Sequence, residues 1–86
     1  MTLGERVLIV RRRRDMTQRQ LAKAAGLNTN TISRLEQGDL KDLGGTAIAN
    51  VARALGTSAD FLLGLSERDV ESEREPSELE TAGREA

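Results

Sequence analysis

Several residue types on which protein chemistry often depends are missing from this sequence. Cysteine and histidine are both absent, which excludes disulfide bonds and zinc-thiolate sites and removes the usual catalytic base and metal ligand. Any enzyme would have to work with carboxylates alone, and the acids concentrate in a segment that offers no pocket. We therefore predict a protein that is not an enzyme and that uses no cofactor and no metal.

Aromatic residues and long apolar runs are also scarce. Phe61 is the only aromatic residue, which argues against a stacking platform for single-stranded nucleic acid and favours a core position for its ring. The longest strongly apolar run, from Val7 to Val10, is far shorter than the roughly 20 residues of a membrane span, and no cleavable apolar leader precedes it. We expect no membrane association and a cytoplasmic location.

Charge is divided unevenly along the chain. Residues 1–65 contain ten Lys/Arg and six Asp/Glu, whereas residues 66–86 contain three arginines and eight acids, so a body of net charge +4 precedes a tail of −5. Some nucleic-acid-binding proteins share this layout. Only Val70 and Leu79 are sizeable apolar residues in the tail, which is too little to fold alone. We predict one domain, residues 1–65, and an acidic, disordered tail, residues 66–86.

The spacing of apolar residues up to Leu65 is helical and predicts an all-α domain of five helices. The first helix follows Thr2 and ends near Arg14, and the last two helices end near Gly56 and Gly64. Residues 39–45 are predicted to form a loop, because Gly44 and Gly45 do not favour a helix. The residues expected to face the core from these helices are Leu3, Val7, Val10, Ile48, Val51, Ala52, Leu55, Phe61 and Leu62.

Two short helices separated by a tight turn lie in the middle of the sequence. Thr17, followed by Gln20 three residues later, has the capping-box pattern of a helix start, and Gly26 ends this second helix. Asn28 caps the third helix, which ends at Gly38. The residues expected to face the core from these two helices are Leu21, Ala24, Ala25, Ile32 and Leu35.

The opposite face of the third helix is polar but contains no acid. At 100° per residue its members fall within an arc of about 140°; they are Thr29, Asn30, Ser33, Arg34 and Gln37. Amide, hydroxyl and guanidinium groups read base edges in the major groove, and a surface without acids can approach phosphates. The residues themselves therefore indicate contact with double-stranded DNA.

The segment from Met16 to Gly38 resembles the helix-turn-helix of the phage repressor and Cro family, also called the xenobiotic-response-element family. The matching features are Thr17-Gln18, Leu21-Ala22, Gly26, Ile32 and the ending Leu35-Glu36-x-Gly38. The resemblance implies that small Ala22 lies where the two helices cross. Residues 56–64 also resemble the fifth helix of the family. The resemblance implies a lambda-repressor-like domain of five helices with its motif at residues 17–38, in a bacterial or phage transcriptional regulator associated with the nucleoid.

By position, the resemblance also implies roles for individual residues. Arg11 lies where the family commonly has an arginine paired with the glutamate that matches Glu36, so we expect a structural Arg11–Glu36 pair. The residues expected to face base edges are Thr29, Asn30, Ser33 and Arg34. Those expected to contact phosphates are Gln18, Asn28, Gln37 and Lys41.

The segment after Gly38 departs from the family pattern. Asp39 and Asp42 lie where family members often have basic residues or proline near the DNA backbone. Either these acids point away from DNA, or the Gly44-Gly45 amides and Thr46 bind phosphate in their place.

Two functions fit these features. The first is a regulator, expected to be a repressor, that binds a palindromic operator as a homodimer. The alternative is the antitoxin of a toxin-antitoxin pair, which would regulate its own promoter and bind a protein partner through its tail. Candidate dimer contacts are Leu8, Ile9, Leu40, Leu43, Leu63 and Leu65.

Overall fold

The computed structural model describes residues 1–69, and five helices account for most of them. They are α1 (Leu3–Arg13), α2 (Gln18–Ala25), α3 (Thr29–Gln37), α4 (Gly45–Leu55) and α5 (Ala59–Leu62). No strand occurs within residues 1–69, in agreement with the predicted all-α fold. Over the same range, no helix combines the length and apolar character needed to cross a membrane. The tail residues Val70 and Leu79, and with them the tail contact of the antitoxin alternative, lie outside the described residues.

Reciprocal side-chain caps determine where α1 and α2 begin. Thr17 Oγ1 accepts a hydrogen bond from the Gln20 backbone at 3.0 Å, and Gln20 Oε1 accepts one from the Thr17 backbone at 2.8 Å. Thr2 and Glu5 form the same pair at 3.1 and 2.9 Å. The hydrogen bond from the Thr2 backbone lowers the pKa of Glu5 because it stabilises the carboxylate. Both helices begin where the sequence predicted, since these caps are local.

The turn between α2 and α3 depends on a left-handed residue. Gly26 has a φ of 69°, a conformation that side chains rarely adopt. The amide of Leu27 then donates to the carbonyl of Ala22 at 2.8 Å, which closes the end of α2. Only three residues separate the last residue of α2 from the first of α3. The two helices of the motif are therefore held in a tight pair.

Buried apolar side chains from all five helices form the core. Helix α2 packs against α3 and α4, and α1 packs against α3 and α5. One prediction was wrong, because Ala24 is exposed and Ala22 is buried in its place. Contacts with two neighbouring helices move the buried side of α2 toward Ala22. The core residues are Val7, Val10, Leu21, Ala22, Ala25, Ile32, Leu35, Ile48, Val51, Ala52, Leu55, Phe61 and Leu62.

The segment between α3 and α4 is one residue shorter than predicted. Gly44 is the N-cap of α4 and Gly45 its first residue, so glycine begins this helix rather than delaying it. Leu40 and Leu43 are half-buried and pack against the core. Much of the surface of these two candidate dimer residues is therefore already used within the chain.

Helix α1 approaches α3 most closely at Gly4. This residue is buried, and a β-carbon at its position would overlap the backbone carbonyl of Leu35 near the end of α3. Glycine is required here by close approach rather than by an unusual backbone angle. The beginning of α1 therefore supports the C-terminal half of α3.

Packing continues beyond residue 65, where the sequence placed the end of the domain. The Asp69 carboxylate is buried and bonds to Arg14 Nη2 at 2.6 Å and to Arg13 Nη1 at 3.2 Å. Arg14 Nε also donates to the carbonyl of Leu55 at the end of α4, at 2.7 Å. Asp69 is therefore held against the ends of α1 and α4, although the sequence assigned it to the solvated tail.

Candidate nucleic-acid interface

The five polar residues predicted to face outward from α3 lie on its outer side. Four are exposed and Ser33 is partly exposed, whereas Ile32 and Leu35 on the other side are buried. This surface is called the outer face of α3 below, and it consists of Thr29, Asn30, Ser33, Arg34 and Gln37. It presents one cation and four neutral polar groups, so phosphates can approach it without meeting a carboxylate.

Asn28 lies immediately before the outer face and caps its helix. Its Oδ1 accepts a hydrogen bond from the backbone of Asn30 at 2.9 Å. The cap therefore uses only the oxygen of the amide, and the side-chain NH₂ group still has two donors. Those donors and the backbone N–H of Thr29, which the cap leaves unused, form a site that favours anions.

Two members of the outer face are hydrogen-bonded to each other. Gln37 Nε2 donates to Ser33 Oγ at 3.3 Å, one helical turn away. In the described residues, neither an ion pair nor a side-chain hydrogen bond joins Arg34 to another group. Arg34 can therefore reach an external acceptor without breaking a contact within residues 1–69.

A hydrogen-bonded network attaches α3 to α1 and α2. Arg11 Nε and Nη2 donate to the two oxygens of Glu36 at 2.7 and 2.9 Å, which gives the predicted pair a bidentate geometry. Only 12% of the Arg11 side chain and 3% of the Glu36 side chain are exposed. The hydrogen bonds that Arg11 donates to Glu36 raise the pKa of Arg11, against the opposing effect of burial. Arg11 Nη1 also donates to the carbonyl of Met16 at 2.8 Å, so one guanidinium joins three segments.

Gln18 belongs to the same network. Its Nε2 donates one hydrogen bond to Glu36 Oε1 at 2.9 Å, which leaves the second N–H of the amide for the phosphate contact that the sequence predicted. The cap of α2 leaves the backbone N–H groups of Gln18 and Arg19 unused, and these two groups remain suited to an anion. The structure thus places Gln18 beside the candidate interface with a role in positioning α3.

An open cavity lies where α1, α2 and the beginning of α3 meet. Arg12 and Arg19 are exposed on its rim, and within residues 1–69 neither forms an ion pair. Asp15, the one acid, has a left-handed φ of 55°. The lining residues are Arg11, Arg12, Asp15, Met16, Thr17, Gln18, Arg19 and Thr29. The cavity therefore lies next to the outer face of α3, with which it shares Thr29, and adds positive charge to that surface.

Sequence reasoning did not assign Arg12 and Arg19 to this surface. Arg12 belongs to a run of four consecutive arginines, residues 11–14, whose side chains point in different directions around α1. The sequence alone does not indicate which of them faces this surface. Arg19 follows the cap of α2 directly, and this position after a helix start is the signal that could have identified it.

Lys41 and Thr46, predicted to contact phosphate, are exposed on either side of Gly44 and Gly45. Asp39 and Asp42 are exposed in the same segment, and one Asp42 oxygen accepts a hydrogen bond from the Leu43 backbone at 2.8 Å. Among residues 1–69, no group of three or more acidic, histidine or cysteine side chains could hold a metal ion.

Comparison with known proteins finds the same motif. Residues 8–62 match the family model described as helix-turn-helix. A solved structure, the P22 c2 repressor protein in complex with synthetic operator 9T in the presence of Tl⁺, is similar to this chain with a TM-score of 0.67 and 28% sequence identity. The match covers 73% of this chain and 94% of the repressor chain. Among curated protein sequences, none matches.

Proposed function

We propose that this protein regulates transcription by binding double-stranded DNA, because the chain belongs to the helix-turn-helix family of phage repressors and Cro proteins. The observation that carries this proposal is the outer face of α3, which is exposed, polar and free of acids. The similar P22 c2 repressor was solved with a synthetic operator. We expect the protein to work in the cytoplasm of a bacterium or phage-infected cell, on the nucleoid.

In this proposal α3 enters the major groove, which is wide enough to admit one helix. Arg34 would donate two hydrogen bonds from its guanidinium to the edge of a guanine. Asn30 would form two hydrogen bonds with the edge of an adenine. Thr29 and Ser33 would contact neighbouring base edges. These four residues would choose the sequence, whereas contacts with phosphates would fix the position of the helix.

The phosphate contacts would surround this reading surface. The Asn28 side-chain amide and the backbone N–H groups that begin α2 would bind one strand, with Arg12 and Arg19 close to it. Gln18 would contribute through its backbone and through the side-chain N–H that is not bonded to Glu36. Gln37, Lys41 and Thr46 would contact the backbone on the other flank.

We further propose that two copies bind a palindromic operator. One helix reads only a few base pairs, and two copies related by two-fold symmetry would place their helices about 34 Å apart, one turn of the duplex. Leu63 and Leu65 follow α5 and are 47% and 75% exposed, which makes them the most exposed leucines in residues 1–69. A second copy that covers these leucines would build the dimer. A dimer on its operator would repress transcription by blocking access to the promoter.

The test is selection of bound duplexes from a random library at low salt. We expect a motif made of two inverted half-sites with centres about 10 base pairs apart. The matched control is N30A/R34A, which removes two reading side chains from exposed positions and should remain folded. This variant should enrich no motif. A wild-type chain that enriches no motif overturns the proposal, and a single half-site overturns its dimeric part.

A further inference from the structure

The chain holds its acidic end close to its basic cavity. Asp69 is the last described residue, and its buried carboxylate is bonded to Arg13 and Arg14 at the end of α1. Arg13 directly follows Arg12, which lines the cavity at the α1–α2 corner. Residues 70–86 therefore follow a residue that is bonded next to this positive surface.

The remaining residues have the charge and the length to reach that surface. Residues 70–86 contain six glutamates and two arginines. Seventeen extended residues can span up to about 55 Å, which is more than the distance across a small domain. A segment attached this way has an effective concentration of about millimolar near any site that it can reach.

The cavity has the chemistry to receive glutamates. Arg12 and Arg19 are exposed on its rim without an ion pair inside residues 1–69, whereas Arg11 is already bonded to Glu36. Carboxylates spaced along a chain present negative charge in a row, as phosphates do along a DNA strand. Arginine accepts both kinds of group through the same paired donors.

We propose that the acidic segment, residues 70–86, docks on the cavity rim at Arg12 and Arg19 and competes with the phosphates of DNA. The part of this proposal that concerns competition rests on the proposed DNA-binding function. The segment would weaken binding to random DNA and to the operator by the same factor, because in both cases it must leave the rim before the phosphates can bind. Asp69 is the anchor that fixes where the segment starts.

Docking is tested by spin labelling, which is simple here because the chain contains no cysteine. The variant S77C carries a nitroxide, and relaxation enhancement of the backbone amides is measured by NMR in the full chain without DNA. We expect the strongest enhancement at Arg12, Thr17 and Arg19 and little at Thr46, which lies at the beginning of α4, the end opposite Leu55. The enhancement should disappear when the five glutamates from 71 to 80 are replaced, in E71Q/E73Q/E75Q/E78Q/E80Q.

Competition is tested with the same neutral-tail variant without the label. Its affinity for a random duplex should exceed that of the unmodified chain by about tenfold at low salt, with a steeper salt dependence. The steeper dependence is expected because salt also releases the tail of the unmodified chain. The control D60N/E67Q changes two charges within residues 1–69, and E78Q/E80Q changes two within residues 70–86. The tail pair should have the larger effect on affinity.

Enhancement that is strongest away from Arg12 and Arg19, or that survives in the neutral-tail variant, overturns the docking. No enhancement in the isolated chain also overturns it, which is the result expected if the tail serves only a separate protein partner. Equal DNA affinity of the two chains overturns the competition. If neither chain binds DNA while the enhancement at the cavity is observed, docking stands and the proposed function fails.

Discussion

Arg34 and Arg53 are both exposed arginines, but only Arg34 lies on the outer face of α3. Replacing Arg34 by alanine should relax the base preference at one operator position, with a loss of about 1–3 kcal/mol in discrimination, because a bidentate contact with guanine is removed. The measurement is competition binding with operators that vary at each position. R53A removes the same charge from α4 and serves as the control, so equal effects of R34A and R53A would contradict the assignment.

Arg11 has a different role, since its side chain is largely buried and bonded to Glu36. R11A should reduce the free energy of unfolding by about 2–4 kcal/mol, because it leaves a buried carboxylate without its partner. Urea denaturation followed by circular dichroism measures this change. In the double variant R11A/E36Q the charge is removed as well, so part of the stability should return. A double variant as unstable as R11A would show that packing, not the charge pair, dominates.

At the scale of helices, α1 and α3 meet with almost no space at Gly4. G4A should destabilise the fold by about 1–3 kcal/mol, since the added methyl group must push the two helices apart. Gly45 offers a matched control, because a β-carbon there meets nothing within 4 Å. G45A should be neutral or stabilising by up to about 1 kcal/mol. Thermal unfolding of both variants compares them directly, and an equal shift in Tm would exclude a close-approach effect at Gly4.

Helix boundaries were predictable where the signal was a local cap. Thr17 with Gln20, and glycine at positions 26 and 38, placed the motif helices closely because such bonds depend on residues near in sequence. The start of α4 was predicted one residue late, since Gly44 and Gly45 have the composition of a loop but serve as cap and first turn. The apolar spacing wrongly placed Ala24 in the core, whereas the family resemblance placed small Ala22 where the two motif helices cross, and Ala22 is buried.

Among contacts between residues distant in sequence, one was expected and others were not. The Arg11–Glu36 pair was expected only through the family resemblance, and the structure brings the two residues together across 25 positions. The bonds from Asp69 to Arg13 and Arg14, and the contact of Gly4 with Leu35, had no signal in the sequence. Each arises from helix packing. The DNA roles of individual residues remain predictions.

At the scale of the whole molecule, the exposed leucines after α5 suggest how two copies would meet. L63S/L65S should weaken self-association by at least about tenfold, because it removes apolar area from the proposed contact. Sedimentation velocity across a range of concentrations measures the change. Both leucines are exposed in the single chain, so thermal stability at low concentration should stay close to that of the unmodified chain. Unchanged self-association would locate the dimer contact elsewhere.

The hydrogen bond between Gln37 and Ser33 has a consequence for retargeting this protein to a new operator. Ser33 is proposed to face a base and Gln37 a phosphate, so the bond between them would couple the choice of that base to the position of α3 on the DNA backbone. Substitutions at the two positions should therefore not have additive effects on specificity. Retargeting would require residues 33 and 37 to be varied together.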